Sequence, residues 1–209
     1  MAGAISDPLA GAEPSAALRA KAGPIVMARH GEPALSRRIK LDSPGYRDWW
    51  ARYEEGGLRD GQTPPAELLE LARHADVIFA STRRRAVETA DAVVQGRHFV
   101  RDPIFVEAPL PPPPLPRFLK FSPRTWGVIA RFAWWWGYHD GQETRPEAQA
   151  RAARAADILV AAAEQGQSVL VLAHGFFNHM MGRELQRRGW RLKQDRGYRY
   201  WATRRFERA

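Results

Sequence analysis

Two short apolar runs, each ending in His-Gly, constrain this chain more than any other feature. They are Pro24-Ile25-Val26-Met27-Ala28-Arg29-His30-Gly31-Glu32 near the start and Ser168-Val169-Leu170-Val171-Leu172-Ala173-His174-Gly175 near the end. Continuous runs of this length, rich in β-branched residues, read as strands buried on both faces, the pattern of a parallel sheet covered by helices. Such sheets bind ligands beyond the carboxyl ends of their strands, so both imidazoles are delivered to the same kind of place. A lone His-Gly after a strand says little, because histidine is common at loop entrances. The pair says more.

The 209 residues suffice for one α/β domain with a well-buried core and are too few for two comfortable ones. A content of 44% hydrophobic and 26% charged residues is that of a globular chain, which argues against disorder or a membrane class for the whole. Residues 1–23 are the exception: rich in Ala, Gly, Pro and Ser, without apolar periodicity or the pattern of a secretory signal, they read as a flexible tail. No apolar run approaches the roughly 20 residues that span a bilayer. The absence of cysteine removes disulfide and thiolate chemistry and fits a cytoplasmic setting. The net charge of +9 is almost wholly arginine, since only Lys21, Lys40, Lys120 and Lys193 are lysines. Arginine suits bidentate phosphate binding, although most of these residues read as solvated surface. No nucleic-acid-binding motif is present, so a nucleic-acid partner is not expected.

Along the chain, residues 33–43 read as a basic loop, 44–55 as a helix ended by Gly56-Gly57, and 64–67 as the opening of a second helix with Thr63 as its cap. Residues 75–80 form the next strand, and Ser81 is expected to cap a helix running to about Gln95, a junction that favours anions. A strand over 99–106, interrupted by Asp102-Pro103, suits a sheet edge. Residues 109–116, almost all proline, are expected as extended polyproline II. Helices follow over 122–138, 145–165 and 177–188, and a strand over 198–206 closes the domain.

Arg29-His30-Gly31-Glu32, then Ser81-Thr82-Arg83-Arg84-Arg85-Ala86-Val87-Glu88-Thr89-Ala90, then Ala173-His174-Gly175 occur in the order found in the histidine phosphatase, or phosphoglycerate mutase-like, superfamily. The chain resembles that family from about Ile25 to Phe206. The resemblance implies a three-layer α/β/α sandwich with a mostly parallel sheet, spanning residues 24–209 as one catalytic domain. It makes His30 the nucleophile that forms a phosphohistidine, with Arg29 and Arg85 binding the phosphoryl oxygens and His174 adding positive character. Arg85, rather than Arg83 or Arg84, fits the family's Arg-Ala-x-x-Thr-Ala register. The family also takes a proton from a carboxylic acid on an intervening loop. Glu107 is the candidate, its carboxyl favoured in the protonated form by the like charge of the phosphate. Asp102, Asp140 and Glu143 are its rivals. No metal and no cofactor is implied.

The chain departs from the family pattern where Pro33 and Ser36 replace the usual Thr or Ser and Asn, leaving Ser36 as a shorter phosphate-binding hydroxyl, and where Arg83 replaces a Leu. His74 and His98 read as surface residues and His139 as part of a turn; His179, five residues after His174, lacks the spacing of a metal pair. The least family-like stretch is the Pro- and Trp-rich insert at about 108–142. Its aromatic residues alternate with Arg117, Lys120, Arg124 and Arg131, the pattern of an interfacial helix, of a pocket for an amphiphilic phosphate ester, or of a cap on the core. Three consecutive tryptophans, Trp134 to Trp136, cannot all lie on one helix face. The expected activity is a metal-independent phosphomonoesterase acting on a small-molecule ester. A phosphoglycerate-type mutase and a non-catalytic phospho-ligand or membrane-associated binding protein are the alternatives, and peripheral contact with an anionic membrane surface stays open.

Overall fold

The computed structural model describes residues 21–209, so most of the expected N-terminal tail lies outside the described residues. Its last residue, Gly23, is pinned by a hydrogen bond to Ala163 O and sits against the Gln167 backbone, where a Cβ would not fit.

Six strands form one sheet in the order β3-β2-β4-β1-β6-β5. The apolar runs become β1 (Ile25–Arg29) and β4 (Val169–Ala173), paired in parallel at the centre with Arg29 opposite Ala173. The two His-Gly steps therefore leave the sheet side by side. β2 (Val77–Ala80) pairs in parallel with β4 and with β3 (Val100–Arg101), which ends the sheet on that side. The expected longer strand over 99–106 stops at Arg101, because Asp102 accepts the Ile104 N–H and Pro103 opens a 3₁₀ turn, Pro103–Phe105. On the other side β6 (Thr203–Arg208) runs antiparallel to β1, and β5 (Trp190–Asp195) antiparallel to β6.

Alternation along β1 sends its side chains to two cores. Ile25 and Met27 join the core formed with α5 (Arg145–Glu164) and α6 (Gly175–Arg187), whereas Val26 and Ala28 join that formed with α2 (Ala66–His74) and α3 (Arg84–Val94). These are the three layers. The long α5 starts cleanly because Thr144 and Glu147 form a reciprocal capping box, and its alanines let it lie close to the sheet. By contrast, Thr63 does not cap α2, whose N-cap is Pro65, and Ser81 does not cap α3, which begins three residues later.

Above the carboxyl ends of the parallel strands sits a separate aromatic core. It joins α1 (Ser43–Glu55) to α4 (Pro123–Trp135) through Tyr46, Trp49, Tyr53, Trp126 and Ala130. Residues 109–116 form no helix or strand. Leu110 and Leu115 from this segment pack on the aromatic core, and the Ser43 hydroxyl donates to Pro113 O. Of the three consecutive tryptophans, Trp134 is buried while Trp135 and Trp136 are exposed.

Candidate active site

His30 and His174 meet edge to face at the ends of β1 and β4, with ring centroids 5.2 Å apart. Both are fully buried, and Arg85, 1% exposed, reaches them from the first turn of α3. Arg85 Nε lies 3.4 Å from His30 Nε2 and Nη2 lies 3.3 Å from His174 Nδ1. A guanidinium only donates, so each histidine presents a lone pair to it. The remaining nitrogens complete the assignment: His30 Nδ1–H donates to Gly31 O at 2.7 Å, and His174 Nε2–H donates to the Ser81 hydroxyl at 2.8 Å. Both rings are thereby neutral. Burial, reinforced by Arg85 and then by Arg29, holds the His30 pKa well below 6.5; burial and Arg85 do the same for His174.

Arg85 is fully committed. Beyond the two histidines it donates to the Tyr53 carbonyl at 2.9 Å, the Glu54 carbonyl at 3.3 Å and the Glu54 carboxylate at 2.7 Å. The other Glu54 oxygen holds Arg83 at 2.8 Å, and Arg84 pairs with Glu88. Only the third of the consecutive arginines enters the site. Glu54 was not apparent in the sequence, because nothing marks a glutamate in the last turn of a helix as the partner of an arginine 31 residues away.

A cavity of about 450 Å³ opens over His30 and Arg85. Arg29, Arg37, Glu107 and Arg131 line it, with a wall built from Tyr46, Trp49, Trp50 and Tyr53 of α1 and another from α4. Arg29 is steered by the C-terminal segment: it donates to Tyr198 O and lies 4.5 Å from the Tyr200 ring centroid. Among the described residues, Arg29 Nε, Arg37 Nε and Tyr46 Oη are buried polar atoms without a partner, and all three belong to residues of this cavity. Unpaired buried N–H groups are costly and rare, which marks the place as built for an anionic or hydrogen-bonding guest.

Glu107 reaches the cavity from the loop after the 3₁₀ turn. Its carboxylate accepts from Phe177 N at 2.8 Å, Phe176 N at 3.2 Å and Ala108 N at 3.1 Å, which seats it on the N-terminus of α6. Arg151 fixes the loop by donating to the Ile104 and Val106 carbonyls, while Glu143 in turn clamps Arg151 through both oxygens at 2.7 Å. Arg131 packs 3.8 Å from the Phe176 ring centroid; burial pushes its pKa down to about 10 against the opposing pull of Glu107. Its position between the two was not legible in the sequence.

The other acids and histidines stand elsewhere. Asp102 caps the 3₁₀ turn, Asp140 pairs with Arg47, and Glu143 is held by Arg151 outside the cavity wall. Ser36 is exposed, its hydroxyl accepting from Arg38 N, and it lines an adjoining basic hollow rather than the His30 cavity. His174 likewise does not line the cavity: both its nitrogens are engaged beneath Arg85. His179 interacts with Tyr198 and Arg204. Among the described residues no three or more His, Cys, Asp or Glu side chains are gathered as metal ligands.

A model of the histidine phosphatase superfamily, branch 1, matches residues 25–204. Among solved structures, the chain is similar to a protein described as mycobacterial hydrolase 1, at 23% identity over 80% of this chain and 82% of that one, TM-score 0.55. It is also similar to a mycobacterial glucosyl-3-phosphoglycerate phosphatase, at 21% identity over 80% and 81% of the two chains, TM-score 0.53. The ecdysone phosphate phosphatase of Bombix mori, solved with tungstate, shares 15% identity over 88% of each chain, TM-score 0.52. At these identities the likeness is one of fold. No curated protein gives a significant match.

Proposed function

Because the chain belongs to the histidine phosphatase superfamily, branch 1, we propose that it is a metal-independent phosphomonoesterase that works through a phosphohistidine on His30. The observation that carries this reading is the tautomer of His30. With Nδ1–H held by Gly31 O, the Nε2 lone pair faces the buried Arg85, which is the form a nitrogen nucleophile needs. Attack by Nε2 on phosphorus breaks the P–O ester bond. Glu107 hands its proton to the departing oxygen, then takes one from the water that cleaves the P–N bond and releases phosphate. Arg29, through its unpaired Nε–H, and Arg85, once a phosphoryl oxygen displaces one of its present acceptors, hold the phosphoryl oxygens as charge moves onto them in transfer. His174, bonded to Arg85 and Ser81, acts first as a positioning residue for Arg85.

That several solved structures of this fold are described as phosphatases supports hydrolysis over transfer back to the substrate. The deciding experiment is phosphate release from a panel of monoesters in the presence of a chelator, run beside His30→Ala. Turnover that resists chelation, needs His30 and leaves an acid-labile phosphoryl group on the rapidly quenched enzyme is the expected result. Isomerisation of phosphoglycerate with a bisphosphate primer, without release, would identify a mutase. Anion binding with neither activity would identify a binding module.

A further inference from the structure

Helix α4 is apolar on two opposite sides. Trp126, Ala130 and Trp134 face the protein and are buried, while Val128, Phe132, Trp135 and Trp136 are 57%, 59%, 49% and 83% exposed. Val128, Phe132 and Trp136 follow one another at four-residue steps, so they form a single ridge along the outer surface, with Trp135 beside it. A helix apolar all round is stable only where both sides meet an apolar environment, and here one side meets water. Large apolar patches of this kind mark contact surfaces.

The charges of the helix itself are of one sign. The helix contains no acidic residue; its charged residues are Arg124, exposed near the start of the ridge, and Arg131. Arg145 lies 4.1 Å from the Trp135 ring centroid. A two-fold contact with a second copy of the chain would set these arginines against one another, because such an interface pairs each patch with itself. Tryptophan and phenylalanine bordered by arginine suit instead the boundary between lipid headgroups and acyl chains, where the cations meet anionic headgroups. The ridge is also continuous with the candidate active site, since Val128 and Phe132 line the cavity above His30 together with the aromatic residues of α1.

We propose that the outer face of α4 seats this protein on an anionic lipid surface, and that the ester it takes there is an amphiphilic phosphate monoester. Its phosphate would enter over His30 while its apolar end lies along Val128 and Phe132. The substrate class rests on the phosphatase reading above; the seating does not.

The test is flotation of the full chain with phosphatidylcholine vesicles and with vesicles containing about 30% phosphatidylglycerol. The comparison is Trp135→Gln combined with Trp136→Gln, two residues outside the cavity over His30. The expected result is binding to the anionic vesicles that weakens in high salt and falls about tenfold or more in the double variant. Turnover of a soluble aryl phosphate should stay unchanged, while hydrolysis of vesicular phosphatidic acid falls in parallel with binding. Failure of the wild-type protein to bind anionic vesicles, or equal binding by the variant, would overturn the seating. So would a wild-type dimer that the variant splits into monomers. Slower hydrolysis of phosphatidic acid, vesicular or short-chain, than of a polar sugar phosphate would overturn the substrate class. His30→Ala keeps the readings separate: it should float like the wild type while releasing no phosphate.

Discussion

Replacing Glu54 with alanine should cost stability and at the same time tighten phosphate binding. Arg85 spends every N–H it has, and the Glu54 carboxylate is its one anionic partner. Breaking a buried ion pair by removing one member costs about 3–5 kcal/mol. The low end, about 3 kcal/mol, applies here because the Tyr53 and Glu54 carbonyls continue to accept from Arg85. For a domain of this size that corresponds to a fall in Tm of about 6–12 °C. The vacated donor is then available to a phosphoryl oxygen, and a competing negative charge has gone. Thermal melts in phosphate-free buffer and over an inorganic phosphate series read both effects, since a ligand at 100 times its Kd adds about 2.7 kcal/mol to the folded state. The variant should start lower and gain more per unit of phosphate than the wild type. An unchanged melt, or equal gains in the two proteins, would show that Glu54 neither holds Arg85 nor competes with the substrate anion.

Three shorter predictions accompany it. Because the folded state holds His30 and His174 below the ordinary histidine pKa of 6.5, the unfolded chain binds more protons below that value. Their contribution is therefore complete above about pH 6.5 and lost as pH falls toward their lower folded values; Tm should drop from about pH 7 to about pH 5, and His30→Gln should make the drop shallower. Glu107→Gln should lower turnover of alkyl phosphates by about 10²-fold or more while aryl phosphates, with better leaving groups, lose far less; equal losses would point to another acid. Ser36→Ala should leave kcat/KM for an aryl phosphate within about twofold, since that hydroxyl is exposed and bonded to Arg38 N outside the cavity.

The parts of the molecule legible in the sequence were those fixed by local pattern. β1 and β4 are buried on both faces and read as continuous apolar runs, α5 matches the Ala-rich helix expected over 145–165, and β3 lies at the sheet edge that Asp102-Pro103 suggested, although it ends at Arg101. β5 was missed because Arg191-Leu192-Lys193 faces water on an outer strand, where charge discourages further pairing and hides the apolar alternation. Ser81 looked like a cap because serine after a strand and before a helix has that meaning locally; its hydroxyl is instead taken by His174, 93 residues away. The same limit applies within the candidate site. His30 and Arg85 could be picked out by motif and Glu107 put forward from its place on a loop, but the clamp of Glu54 on Arg85, the unpaired Arg37 Nε and the placement of Arg131 beside Glu107 depend on chain segments meeting in space.

The position of β1 between β4 and β6 bears on how the protein is made. The strand that carries His30 leaves the ribosome well before both of its neighbours in the sheet, which lie beyond residue 168. Arg29 takes its backbone partner from Ala202 and its side-chain partner from Tyr198, and the Trp201 N–H reaches His30 O. A nascent chain therefore carries an unpaired apolar strand until the segments beyond residue 168 have followed it, a period in which such segments are prone to aggregate. His30, the proposed nucleophile, is set in place only once residues 198–206 have been made, so removing that segment would strip the support from a site about 170 residues earlier in the chain.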